Sequence, residues 1–201
     1  MRPILNPPLL ALLVLAMPVA ALERPMVLFS AGPNPPPGVA LYLGDAENWS
    51  VPVPTTAPTA ESAGQAIRLS RQADSIRLDW AGRREGQLYL QADPPLDLST
   101  ATEAALAVTL KLHRKPRSAV TLALGCGYPC RGSADITRLL RRLPQDEWLQ
   151  LTFALQCFTD LGLDSARIDS PFLLLSSGKF ALSIAAIRLL PTGAATATVT
   201  C

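Results

Sequence analysis

The chain has 201 residues, 49% of them hydrophobic and 17% charged, with a formal net charge of +2. So small a net charge argues against a nucleic-acid partner, which needs a basic footprint. The length suits one domain.

The first stretch, MRPILNPPLLALLVLAMPVAALE, opens on Arg2, continues through an apolar run from Leu9 to Ala16, and ends in the small residues Val19, Ala20 and Ala21. That layout predicts a secretory signal peptide over residues 1–21, with a V-x-A cleavage pattern ending at Ala21. The run is shorter than the roughly 20 residues that span a bilayer, so no membrane span is expected once the signal is removed. Residues 1–21 carry Arg2 and no acid, which leaves the remainder 17 basic residues against 16 acidic ones. Residues 22–40 are expected as an extended, Pro-rich lead-in, because "AGPNPPPGV" (31–39) lacks the N–H groups that a helix or a central strand requires. "VPVPTTAPTAESAG" (51–64) reads as a surface loop, and no internal repeat is visible.

Beyond residue 64 the hydrophobic period is two. Ile67/Leu69, Ile76/Leu78/Trp80, Leu88/Leu90, Leu106/Val108/Leu110/Leu112 and Val120/Leu122/Leu124 alternate with their neighbours. Leu149/Leu151/Phe153/Leu155, Leu173/Leu175, and Leu182/Ile184 leading into Ile187/Leu189 continue the pattern. Alternation of this length marks half-buried strands. About eight short strands split by Gly/Pro/Asp turns predict an all-β antiparallel sandwich. One segment differs. Ile136, Leu139, Leu140 and Leu143 are spaced helically, and Ser133 is placed to cap the start, with Pro144 stopping it. One short helix is expected there. The basic runs "HRKPR" (113–117) and "RLLRR" (138–142) read as a solvated turn and a helix face, with His113 exposed.

Cys126 and Cys130 flank Gly127-Tyr128-Pro129. A structural zinc site needs four Cys/His ligands, and this pair is followed only by the isolated Cys157 and Cys201, with His113 the sole histidine. A thioredoxin-like motif would need C-x-x-C in a βαβ setting. An exported chain meets oxidising surroundings, so a Cys126–Cys130 disulfide is expected. Such a loop stabilises by roughly 2 kcal/mol, enough to pin a local shape. Cys157 is either a buried thiol or the partner of Cys201. No cofactor is expected, and the sequence defines no calcium or other metal site.

Several stretches carry a family resemblance: "LYLGDAENWSVPV" (41–53), "GQLYLQADPPLDLS" (86–99), "LGCGYPCRGSADIT" (124–137), "EWLQLTFALQCF" (147–158) and "SPFLLLSSGKFALSIAAIRLL" (170–190). In this order they resemble the C-terminal galactose-binding-like domain of bacterial exo-β-1,3/1,4-glucan glucohydrolases of glycoside hydrolase family three. The resemblance implies a jelly-roll sandwich over residues 41–190, with 191–201 as a tail. In those enzymes the module accompanies a barrel and a second domain that carry the catalytic carboxylates. A barrel takes about 250 residues, and here the expected signal peptide directly precedes the module. The family's catalytic residues therefore have no counterpart, and no hydrolase activity is expected.

No G-x-S-x-G, P-loop or H-E-x-x-H motif appears. For sugar binding, aromatic faces pack against C–H faces while polar groups read hydroxyls. Trp80 continues an inward alternation and is assigned to the core, whereas Trp148 starts a strand and suits either face. Trp49, with Asp45, Glu47 and Asn48 beside it, is the first platform candidate, and Tyr128 at the tip of the cysteine turn is the second. The expected role is an exported, non-catalytic carbohydrate-binding module for a β-glucan-type polysaccharide, periplasmic or extracellular. The alternative is a scaffold domain docking onto another exported protein.

Overall fold

The structure of the chain, a computed structural model, describes residues 22, 24–31, 36–101 and 103–191. The predicted signal peptide, the C-terminal tail and Cys201 lie outside the described residues. The alternating stretches form two antiparallel sheets. The first takes, in spatial order, β11 (Trp148–Ala154), β8 (Ala105–Arg114), β13 (Phe180–Leu190), β6 (Ile76–Trp80), β5 (Ile67–Arg71) and β4 (Thr59–Glu61), with β1 (Met26–Ser30) also paired to β13. The second runs β10 (Arg131–Asp135), β9 (Val120–Gly125), β12 (Ser170–Ser176), β7 (Gly86–Ala92), β2 (Val39–Asp45) and β3 (Asn48–Pro52). The expected all-β sandwich is the fold.

The core sits between the sheets and is built from one side of each pleat. On β7, Gly86, Leu88, Leu90 and Ala92 are buried while Gln87, Tyr89 and Gln91 are half-exposed. Leu43, Leu78, Leu88, Leu112, Leu122 and Leu182 from both sheets meet in one apolar cluster. Trp80 is 1% exposed, stacks on Phe180 with ring centroids 4.2 Å apart, and donates its indole N–H to the Gly86 carbonyl at 2.9 Å. That satisfies the one polar atom the ring brings inside. The change of phase between Leu182/Ile184 and Ile187/Leu189 is a register shift of β13 against β8 between Ile184 and Ala186, as a β-bulge produces.

The structure corrects several expectations. Helix α1 (Thr137–Arg142) begins later than its apolar spacing suggests, because Ser133 belongs to β10, paired with Ala123. Ser133 caps nothing: its hydroxyl is buried without a hydrogen-bond partner among the described residues. Asp135 instead accepts the Thr137 amide at 2.8 Å. A second helix, α2 (Leu155–Thr159), follows β11 where alternation alone predicts more strand, and buries Leu155, Cys157 and Phe158. It packs so tightly on β10 that a Cβ on Gly132 would fall 2.2 Å from the Phe158 carbonyl. Cys157 is disulfide-bonded, not a free thiol. The lead-in contributes β1, and residues 51–64 contribute the end of β3 and the edge strand β4.

His113 is not in an exposed turn. It lies near the end of β8 with its side chain 16% exposed, Nδ1 at 2.7 Å from Asp146 and Nε2 at 2.8 Å from the Ser183 hydroxyl. This Ser–His–Asp order has the connectivity of a hydrolase triad, but Ser183 is fully buried and no substrate can reach its oxygen. The chain of bonds ties β8, β13 and the α1–β11 turn together.

Trp80→Ala is expected to lower stability by about 3–5 kcal/mol, as other buried Trp→Ala changes do. A shift of the urea midpoint at unchanged slope measures it.

Candidate functional site

The outer face of the second sheet carries the candidate site. Cross-strand partners form a row across it: Ser133, Ala123, Leu173, Tyr89, Tyr42 and Pro52. The next row holds Thr121, Leu175, Gln87 and Gly44. Ala123, Gly125 and Gly44 keep the floor low, while Tyr89 and Gln87 rise from it. Gly44 and Gly125 are required by packing, since added Cβ atoms would lie 2.3 Å from the Trp49 carbonyl and 3.0 Å from Ser170 Cβ respectively. The result is a groove of about 680 Å³ lined by Trp49, Tyr89, Gln87, Gln91, Leu173 and Tyr128, among others.

The groove runs obliquely. Trp49 and Glu85 sit toward the end where Gly86 faces Ser176, and Tyr128 and Asp169 sit at the end where Gly125 faces Ser170. Six strands at about 4.8 Å spacing set its two corners roughly 24 Å apart across the sheet. A trough of that length accepts a chain of rings, not one ring.

Leu173 and Leu175 line the floor, which reverses their expected place. Phe172 and Leu174 fill the core instead, at 1% and 3% exposure. The run Phe172-Leu173-Leu174-Leu175 is apolar on both faces, and a one-residue error of phase exchanges inside for outside. An apolar floor beside amide and phenol side chains suits a ligand with apolar faces and hydroxyl edges. Tyr42 and Tyr89 stack with centroids 5.1 Å apart. The Tyr89 hydroxyl lies 2.7 Å from Ser50 Oγ, and burial pushes its pKa up, keeping it a neutral hydrogen-bonding group.

The sequence candidates separate into two sets. Trp49, 45% exposed, and Tyr128, fully exposed, both line the groove. Gln87 Nε2 donates to the Trp49 carbonyl at 3.0 Å, fixing that strand edge. Tyr128 stands on the Cys126–Cys130 loop, whose disulfide spans Cα atoms 5.1 Å apart and is backed by the Cys126 amide to Cys130 carbonyl bond at 3.0 Å. Gly127, at φ +91°, allows the turn. Asp45, Glu47 and Asn48 are not in the groove. Asp45 is fully buried, Glu47 pairs with Arg84, and Asn48 Oδ1 accepts the Ser50 amide at 2.9 Å. Asp45 therefore has no face to offer a ligand.

Sequence reasoning missed Gln87, Tyr89, Gln91, Glu85, Arg131 and Asp169. The first three were signalled by the alternation of "GQLYLQA", which leaves Gln, Tyr and Gln outward. Glu85 continues the outward side of that alternation and Arg131 follows the cysteine turn, whereas Asp169 is brought in by long-range strand pairing and leaves no local trace. Asp169 is half-buried and takes no side-chain hydrogen bond among the described residues, leaving both oxygens for a ligand. Among the described residues no cluster of His, Cys, Asp or Glu could hold a metal ion.

A family model described as galactose-binding domain-like matches residues 40–189. No curated protein sequence matches the chain. Among solved structures, the extra C-terminal domain of the exo-1,3/1,4-β-glucanase ExoP from a Pseudoalteromonas species superposes with a TM-score of 0.68 at 17% identity, over 89% of this chain and 99% of that domain. In the whole ExoP enzyme the match spans 23% of the protein, with a TM-score of 0.70 at 18% identity over 97% of this chain. The family 30 carbohydrate-binding module of a Clostridium thermocellum cellulosomal cellulase gives 0.57 at 12% identity, over 88% of this chain and 99% of the module. The family 11 module from the same organism, solved with a β-1,3-1,4-mixed-linked tetrasaccharide, gives 0.53 at 11% identity, over 87% and 98%.

Asp45 generates a stability prediction. Its Oδ1 accepts the Glu47 and Asn48 amides at 3.0 and 3.4 Å, and its Oδ2 accepts the Gly64 amide at 2.7 Å, joining the β2–β3 turn to the loop before β5. Burial works to raise its pKa, but hydrogen bonds from Ser62 and from the amides of Glu47, Gly64 and Asn48 together hold it below the ordinary 3.8. A carboxylate depressed on folding contributes stability above its unfolded pKa, and that contribution is lost as pH falls through the folded value. Asp45→Ala is expected to destabilise by about 3 kcal/mol at neutral pH, since buried amides lose their acceptor. In thermal melts the gap between wild type and Asp45→Asn should hold steady down to the ordinary aspartate pKa and shrink below it.

Proposed function

We propose, for a chain that belongs to the Exop_C family of galactose-binding domain-like modules, that it is a carbohydrate-binding module for a β-glucan chain laid along the outer groove of the second sheet. The observation that carries the reading is the groove itself: an apolar floor at Leu173 and Leu175, amides and a phenol along it, and an exposed aromatic at each corner. Sugar rings pack their C–H faces on such surfaces while Gln87, Gln91 and Asp169 are placed to bond hydroxyls. The mixed-linkage tetrasaccharide in the family 11 module and the glucanase context of the ExoP domain support the choice of a β-1,3/1,4-glucan.

The module is non-catalytic in this reading. Glycoside hydrolysis needs two carboxyl groups about 5–9.5 Å apart. Glu85 precedes β7, while the Asp169 carbonyl accepts the amide of Ala92 at that strand's far end. The length of β7 separates their backbones by roughly 20 Å. Export also belongs to the proposal. The Cys126–Cys130 disulfide supports it, and no helix among the described residues is long and apolar enough to cross a membrane. Docking onto another protein has less support, because the exposed large apolar residues outside the groove, Val27, Trp148 and Leu161, lie on separate elements.

Isothermal titration calorimetry with mixed-linkage β-glucan oligosaccharides tests the reading. Wild type is expected to bind them and not galactan. Trp49→Ala should weaken binding roughly ten-fold, the loss of about 1–2 kcal/mol of ring packing, with the thermal midpoint nearly unchanged. Tyr89→Ala, at the centre of the groove, should weaken it at least as much. Absence of binding to any β-glucan, or undiminished binding by both variants, would sink the assignment.

A further inference from the structure

A second concave site lies away from the groove. Its walls come from three segments: Arg114, Lys115 and Arg117 where β8 leads into β9, Arg141 of α1 with Gln145 after it, and Lys179 in the β12–β13 turn. The pocket is about 720 Å³, and no carboxylate lines it among the described residues. Five of the chain's 18 Lys and Arg thus face one basin while none of its described acids does. None of the five forms a salt bridge among the described residues. Two of the acids on neighbouring segments are engaged elsewhere, Asp146 on His113 and Asp135 on the Thr137 amide.

The basin is held in shape by its backbone. Arg141 Nε donates to the Pro116 carbonyl at 3.0 Å and its Nη2 to the Arg117 carbonyl at 2.9 Å, which fastens α1 to the β8–β9 loop. Gln145 Nε2 donates to the His113 carbonyl at 2.8 Å. Ser176 Oγ donates to the Ala119 carbonyl at 2.9 Å and accepts the Gly178 amide at 3.1 Å, which fastens the other turn. A Cβ on Gly178 would lie 2.6 Å from Ser118 Cβ, so the two turns approach as closely as glycine permits. Like charges gathered on fixed backbone repel one another unless an anion lies between them.

We propose that this basin binds an oxyanion group, carboxylate or sulfate, carried on an acidic polysaccharide. The reading goes beyond the groove and does not depend on it. Guanidinium groups present forked donors that match the paired oxygens of such groups. No aromatic side chain lines the pocket among the described residues, so nothing there stacks on a nucleic-acid base. Its one apolar residue, Pro116, is buried, so nothing is placed to enter a bilayer.

The test is calorimetric titration of the intact protein with polygalacturonate, dextran sulfate and neutral dextran, in low salt and at about 0.5 M NaCl, where screening is strong. Binding of polygalacturonate or dextran sulfate that is lost in high salt, with none to neutral dextran, supports the proposal, and the polymer bound identifies the group. The variant Arg114→Gln/Arg117→Gln/Lys179→Gln should weaken that binding more than about ten-fold. Its thermal midpoint should match wild type, because these side chains are exposed. Trp49→Ala should bind the polyanion as wild type does, so failure at the groove and failure here are distinguishable. The proposal is overturned if neither polyanion binds or if the triple variant binds unchanged.

Discussion

The pleat of the second sheet governs everything this chain can do. Each strand residue serves either the core or the outer surface, and neighbouring strands must agree on which. On β7 the agreement is visible in the residues themselves, because Leu88 and Leu90 go inside and Gln87, Tyr89 and Gln91 go outside. On β12 it is imposed by the neighbour. Pairing sets Leu174 against Leu88 and Phe172 against Leu90, so Leu173 and Leu175 must turn outward. Leu173, half-buried, and Leu175, nearly covered, give the outer face an apolar strip in the middle of polar side chains. The same constraint that fills the core therefore furnishes the groove.

Two short-range devices then fix the corners of that face. At one, a buried carboxylate gathers amides from its own turn and from the loop before β5, so the hairpin bearing Trp49 has little freedom. At the other, the Cys126–Cys130 link and its backbone bonds hold Tyr128 clear of the surface. Both aromatics are presented on restrained backbone, which reduces the ordering a ligand must impose when it binds.

Much of this was legible from residues alone. Period-two alternation announced the sandwich, and the Cys-Gly-Tyr-Pro-Cys turn anticipated its disulfide. The exposure of two aromatics, Trp49 on β3 and Tyr128 in the cysteine turn, was legible too, since a large ring amid polar neighbours has no core to enter. Sequence adjacency misled where it was taken for a shared face. Asp45 and Trp49 are four residues apart, yet one is sealed inside and the other stands at the groove. Ser133 suited a helix cap until pairing with β9 claimed it. Asp169 joins the site, and Lys179 joins the basic runs, only through contacts distant in sequence. No local pattern encodes those meetings.

The place of β13 has a consequence for how the chain comes to be folded. It follows every other described strand in sequence, yet it lies inside the first sheet, with β8 along one edge and β6 and β1 sharing the other. Until Phe180 to Leu190 have been synthesised, β8 and β6 have no common neighbour and Trp80 has no Phe180 to stack on. Such long-range closure postpones folding of the sheet until its last described strand is available. A nascent chain of this sequence therefore leaves its first sheet open until β13 has emerged, however complete the strands before it are.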